Sequence, residues 1–338
     1  MGTRKRLDLL QRTLYEANER RIRQMVTAPR RFARVDLDRY ERELATSIPS
    51  DWAAATPAAL RAAIGSARIV LVGDYHTLAQ SQRGFLRVVR AVRTRRLVIG
   101  LEFVPARFQR AVDAYMAGTI DDETFLRRIE YRKSWPSYQV WPSFKPIFDL
   151  ARRRQARVIA LDCTPAECGT VFSRAEFAAW KVAETLRDHP RHKMLVLMGE
   201  AHLAPSHLPD ALRRALARLE LDARILTVHQ NLDEVYFQLM AKGLEGEVDV
   251  VRLAPDRFVV TASSPIAAQH SFLAAMTGED YSHEPDRAKV RREFMKHVRS
   301  LGRILGLRPR GILDDVVVCG PGDLEPFAKH WGDFDDLT

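Results

Sequence analysis

Arg68-Ile-Val-Leu-Val-Gly-Asp-Tyr-His76 opens as a buried strand and closes on ionisable side chains. Its apolar part is continuous, as strands covered on both faces are, whereas a half-exposed strand would alternate apolar and polar residues. Four further runs share that form: Arg96-Leu-Val-Ile-Gly-Leu-Glu102, Arg157-Val-Ile-Ala-Leu-Asp162, Lys193-Met-Leu-Val-Leu-Met-Gly199 and Arg224-Ile-Leu-Thr-Val-His229. Helical patterns fill the gaps. Phe85, Leu86, Val88, Val89 and Val92 make one apolar stripe, and Ser173-Arg-Ala-Glu176 reads as a capping box opening the helix of Phe177 and Trp180. This alternation predicts an α/β fold, a mostly parallel sheet with helices on both faces and right-handed crossovers.

Each run begins at Arg or Lys and leaves through glycine, histidine or an acid, so the carboxyl-terminal edge of the sheet is the chemically loaded one. Ligands of open α/β sheets bind beyond that edge. One motif occurs there twice, Gly73-Asp74-Tyr75-His76 and Gly199-Glu200-Ala201-His202, and a third run ends at Glu102. His76, Glu102 and His202 are therefore expected to converge although 126 residues separate the two histidines. Asp162 and His229 end two other strands, His229 without the motif, and His207 reads as structural.

Two chemistries suit that set. Two histidines and a carboxylate could hold Zn, Fe or Mn as a metal site and lower the pKa of bound water to roughly 7, with Asp74 or Glu200 as general base. Without a metal, His76 or His202 could take a proton from water while Glu102 orients its ring.

Within the 338 residues, residues 1–48 read as a basic helical prefix, 57–231 as the α/β core, and 232–338 as a C-terminal extension. In that extension Val248–Leu253 and Arg257–Ala262 read as a β-hairpin, and Pro265–Met276 and Asp286–Leu305 as helical appendages. Pro105 opens a helix that stops at Gly118, Asp121 begins another, and the aromatic stretch Trp135–Ser143 is placed to roof the cleft. No run approaches the roughly 20 apolar residues of a membrane span, and the N-terminus lacks the apolar run of an export signal. Three cysteines, Cys163, Cys168 and Cys319, read as ordinary thiols rather than a disulfide framework, which fits a cytoplasmic protein.

The formal charge of +10 raises a nucleic-acid partner. Its distribution argues against one: residues 1–45 hold 12 basic and 7 acidic residues, only nine of the 53 basic residues are Lys, and no aromatic-interleaved basic stripe occurs.

The paired G-x-x-H motifs, the strand ending in Glu102, and the stretches Gly100-Leu-Glu-Phe103 with Gln109, Tyr115-Met-Ala-Gly118, Phe144 to Ala151, Leu208-Pro-Asp210 and Gln269-His-Ser-Phe-Leu273 resemble the superfamily joining ChaN-type haem-binding proteins with Tiki, TraB and erythromycin-esterase enzymes. ChaN is the member most resembled, across about residues 67–275. By motif position, the resemblance puts His76, Glu102 and His202 in the active-site places, and it implies either haem or iron binding or a metal-dependent protease or esterase acting on a small molecule or peptide. An interaction scaffold is a third reading. For haem, Tyr75 and Tyr138 are the candidate ligands, Asp162 lines the same edge, and Trp135 and Trp141 read as loop packing. A homodimer around a shared cofactor stays open. The sequence departs from the family in carrying Asp74 where the first motif often has Glu, and in lacking a lipoprotein signal.

Overall fold

The computed structural model describes residues 2–26, 34–135, 140–261, 263–277 and 286–307. The chain divides into two compact units, Met1–Ala17 with Thr277–Thr338, and Asn18–Met276.

The second unit holds one eight-stranded sheet: β1 (Ala53–Ala55), β2 (Ile69–Asp74), β3 (Leu97–Pro105), β4 (Arg157–Asp162), β5 (Lys193–Gly199), β6 (Ile225–Gln230), β7 (Val250–Ala254) and β8 (Arg257–Val260). Their order across the sheet is β1-β7-β8-β6-β2-β5-β3-β4. The five expected apolar runs are β2 to β6, and all neighbouring pairs from β8 to β4 are parallel.

Period-two packing explains why these runs are apolar throughout. Val70 and Val72 of β2 join the core layer of Phe85, Val89, Phe144 and Phe148, while Ile69 and Leu71 join the opposite layer of Ala178, Val182, Leu212 and Leu216. Helices Ala79–Ala91 and Trp141–Arg153 thus cover one face, and Val171–Asp188 and Leu208–Arg218 the other.

The expected hairpin exists as β7 and β8, yet it extends the main sheet. β8 pairs in parallel with β6, Thr227 opposite Arg257 and Gln230 opposite Val260, and β7 turns back antiparallel. The hairpin's buried Val250, Val251, Phe258 and Val259 need a neighbouring apolar edge, which β6 offers. Sequence reading misses β1 because Ala-Ala-Ala has little β-propensity; pairing with β7, Ala53 opposite Arg252, imposes the extended form.

Two local readings are corrected. Helix Val171–Asp188 starts two residues before the expected capping box, with Thr170 as its cap: the hydroxyl accepts the Ser173 N–H at 3.1 Å. Cys163 and Cys168, expected to be separate thiols, are disulfide-bonded, because the one-turn helix Pro165–Cys168 after β4 folds their Cα atoms to 6.0 Å. The cysteine argument for a reducing compartment falls with them. No helix among the described residues is long and apolar enough to cross a membrane.

Candidate functional site

Strand order makes the site. β2 and β5 are neighbours in register, with Asp74 opposite Gly199, and β3 lies on the other side of β5 with Leu101 opposite Leu197. Both motifs and Glu102 therefore arrive on three adjacent strands. The chain leaves β2 for a helix on one face and β5 for a helix on the other, so the crevice of a topological switch point opens between the two motifs.

Gly199 stands at the centre. A Cβ there would lie 3.2 Å from Glu102 Oε2, 3.5 Å from His76 Nε2 and 3.6 Å from His202 Cδ2. Glu102 is buried and its carboxylate is shared: Oε2 accepts the Gly199 N–H at 2.5 Å, and Oε1 accepts from Arg174 Nη2 at 2.8 Å and faces His202 Nε2 at 3.5 Å. Arg174 also donates to Asp162 Oδ1 from Nε at 3.0 Å and Nη2 at 2.7 Å. Asp162 thus belongs to the cluster through an ion pair.

His76 is held from the opposite side. Its Nδ1 donates to Asp74 Oδ2 at 2.7 Å, its Nε2 is 3.9 Å from Glu102 Oε2, and the Trp135 ring meets it edge-on at 4.9 Å between centroids. Gln82 donates to the other Asp74 oxygen. Trp135 is itself fixed by its Nε1–H, which donates to the Phe103 carbonyl at 3.2 Å, and by stacking on Phe103.

Glu200 takes a different direction. Its Oε1 accepts from His229 Nδ1 at 2.5 Å, its Oε2 accepts the Gln230 N–H at 2.9 Å, and the carboxylate occupies the space a Gly73 side chain would need. The two acids of the paired motifs therefore have unlike partners, Asp74 serving His76 and Glu200 tying β5 to β6.

These surroundings push the ionisations apart. Burial lowers the His76 pKa, but the hydrogen bond and charge of Asp74 and the charge of Glu102 outweigh it and raise it to about 9. His202, more enclosed, is lowered: burial outweighs Glu102, and the Arg174 and His76 charges add to it. Burial raises the Glu102 carboxyl, yet His202, Arg174 and His76 hold it well below the usual range. Asp162 is pushed up to about 6 by burial and by the Glu102 charge, against Arg174.

His76, Glu102 and His202 are thus brought together, with Asp74 and Asp162 attached. Tyr75 is half-buried beside His76. Tyr138 lies outside the described residues. Among the described residues no group of three or more His, Cys, Asp and Glu is arranged to hold a metal ion. His207 is structural: its Nδ1 donates to the Ala201 carbonyl at 2.9 Å and its Nε2 lies 2.7 Å from Glu43 Oε2.

Sequence reading missed Arg174, Gln82 and Gln230. One signal pointed to Arg174, since a cation near a helix N-terminus opposes the helix dipole and calls for a carboxylate partner. Gln82 and Gln230 carry no pattern of their own. Gln230 donates to the carbonyls of Gly73, at 2.5 Å, and Ser81, at 2.9 Å, a role that only strand order creates.

Residues 60–178 match the family model described as haem-binding uptake, Tiki superfamily, ChaN. The match encloses the first motif, Glu102, Asp162 and Arg174, and the second motif lies beyond it. Among solved structures, the chain is similar to the cofacial haem complex of Campylobacter jejuni ChaN, with a TM-score of 0.40, 10% identity, 54% of this chain and 89% of that chain covered. It is also similar to RRSP, a MARTX toxin effector domain from Vibrio vulnificus CMCP6, with a TM-score of 0.36, 21% identity, 68% of this chain and 43% of that chain. No curated protein matches the sequence.

Proposed function

We propose that this protein binds haem at the carboxyl-terminal edge of its sheet, with Tyr75 as the axial ligand beside His76. The ChaN family match across residues 60–178, which contains both residues, carries the reading. Donor chemistry fits: the His76 imidazole lies against the Trp135 ring, and the residue before it, Tyr75, carries a phenol. Haem, when bound, would supply an iron centre for a protein donor such as Tyr75 to hold. Tyr75 and His76 are half-buried, whereas His202 is enclosed and directed at Glu102. His76 donates its Nδ1–H to Asp74, which fixes its tautomer and leaves Nε2, 3.9 Å from Glu102 Oε2, as the alternative ligand atom.

The test is an absorption titration of the purified protein with hemin, beside elemental analysis. A saturable Soret shift in the wild type that Tyr75→Phe abolishes is expected. Absence of a shift in the wild type overturns the reading, and a shift unaltered in Tyr75→Phe but lost in His76→Ala moves the ligand to His76.

One observation favours a second reading, hydrolysis without a bound metal. His76 and His202 flank one carboxylate, and their pKa values are driven in opposite directions, the arrangement of a paired acid and base. In that chemistry neutral His202 takes a proton from water, Glu102 orients it, and His76, loaded by Asp74, returns a proton to the leaving group. Ester and peptide panels, run with His202→Ala as control, test it.

A further inference from the structure

Arg287-Ala-Lys-Val-Arg-Arg-Glu-Phe-Met-Lys-His-Val-Arg-Ser-Leu-Gly-Arg-Ile-Leu305 forms one helix of the first unit. Asp286 caps it, accepting the Lys289 N–H at 3.0 Å, and Gly306 ends it in the left-handed conformation at φ +72°. The helix has seven Lys and Arg residues against one acid, Glu293.

Its apolar residues are arranged as though for burial and are not buried. Val290, Phe294, Leu301 and Ile304 recur at helical spacing on one face and are 43, 46, 41 and 53% exposed. Leu307, just beyond, is 51% exposed. An uncovered apolar row on a strongly basic helix has to be matched in both respects by whatever covers it.

A second copy of the helix fails on charge, because two such basic surfaces would repel. Nucleic acid matches the charge but offers its backbone nothing for Phe294 or Ile304. An anionic phospholipid surface matches both, taking the apolar row at the acyl boundary and the cations at its headgroups. We propose that helix Arg287–Leu305 docks this protein on an anionic membrane surface, with Val290, Phe294, Leu301 and Ile304 inserted and the flanking Lys289 and Arg291 at the headgroup phosphates. This surface is independent of the haem reading and survives its failure.

The competing occupant is the chain's own segment 308–338, which carries seven acidic and three basic residues, so the full-length protein is the one to test. Co-sedimentation with phosphatidylglycerol–phosphatidylcholine vesicles, beside pure phosphatidylcholine vesicles, reads the partition directly. Binding to the anionic vesicles alone is expected. It should weaken as ionic strength rises from about 0.1 M to about 1 M, where the screening length falls from roughly 10 Å to 3 Å. Phe294→Ser with Leu301→Ser, both at exposed positions, should lower the partition at least tenfold with an unchanged circular dichroism spectrum. Lys289→Gln with Arg291→Gln tests the charge half separately and should also weaken it. Failure of the full-length protein to bind anionic vesicles overturns the proposal. So does vesicle binding indifferent to the apolar pair, or retention on a duplex oligonucleotide with none on vesicles.

Discussion

Glu102 Oε2 accepts the backbone N–H of Gly199 at 2.5 Å, so the acid that ends β3 is fastened to the glycine that ends β5. A methyl group at position 199 would sit 3.2 Å from that oxygen and 3.5 Å from His76 Nε2. Gly199→Ala is therefore expected to spread the cluster by a few tenths of an ångström without unfolding the sheet. Hemin affinity should fall about tenfold, roughly 1.4 kcal/mol, while the melting temperature moves by only a few degrees. An unaltered affinity would place the ligand away from this cluster.

Asp74 is the source of the His76 proton affinity. Asp74→Asn removes that charge while Glu102 still opposes burial, so the His76 pKa should drop from about 9 toward its ordinary 6.5. Histidine ring signals followed by NMR across pH 5 to 10 in the ligand-free protein measure this, roughly spanning both values. A titration that stays near 9 in the variant would contradict the assigned cause.

The same group sets part of the pH dependence of stability. A histidine whose folded pKa lies above its unfolded value contributes stability that is complete below about 6.5 and lost as pH rises through about 9. Denaturant unfolding should show a decline of up to about 1.4 kcal/mol per pH unit across that window, and the decline should be absent from His76→Ala. An identical slope in both proteins would assign the loss elsewhere.

Both the strands and their polarity were legible because continuous apolar runs and their terminal residues are local signals. The convergence of His76, Glu102 and His202 was legible too, since parallel strands must deliver their ends to one edge. What could not be read was strand order, and everything that depends on it. Glu200 looks equivalent to Asp74 in the sequence, yet β6 lies next to β2 and captures Glu200 through His229 and the Gln230 amide. The hairpin's attachment to β6 and the Arg174 bridge are likewise products of tertiary neighbours. The Cys163–Cys168 bond was missed because composition says how many thiols there are, and only the turn after β4 says which two meet.

His207 fastens the helix Arg34–Thr46 to the site-bearing edge through Glu43, at 2.7 Å, with Ser206 adding a hydroxyl bond to the same oxygen at 3.0 Å. His207→Ala should release that helix to proteolysis near residues 34–46 while leaving the sheet folded. Limited proteolysis with mass analysis reads this directly, and an unchanged cleavage pattern would show that apolar packing by Leu44 alone holds the helix.

Arg174 neutralises two partly buried carboxylates, and those carboxylates respond to it unequally. Glu102 keeps its charge, supported also by His202 and the Gly199 amide, whereas Asp162 is pushed up to about 6 and tolerates its charge poorly. Arg174→Ala strands both acids and should cost about 3 kcal/mol, as removal of one partner from a buried pair does. Asp162→Asn should cost far less, because it deletes the charge that was held least well. The double variant Arg174→Ala with Asp162→Asn should then recover part of the Arg174→Ala loss, since only Glu102 is left to desolvate and His202 still faces it at 3.5 Å. Urea unfolding of the three variants measures the coupling, and strict additivity of the two single losses would show that Arg174 acts on Glu102 alone.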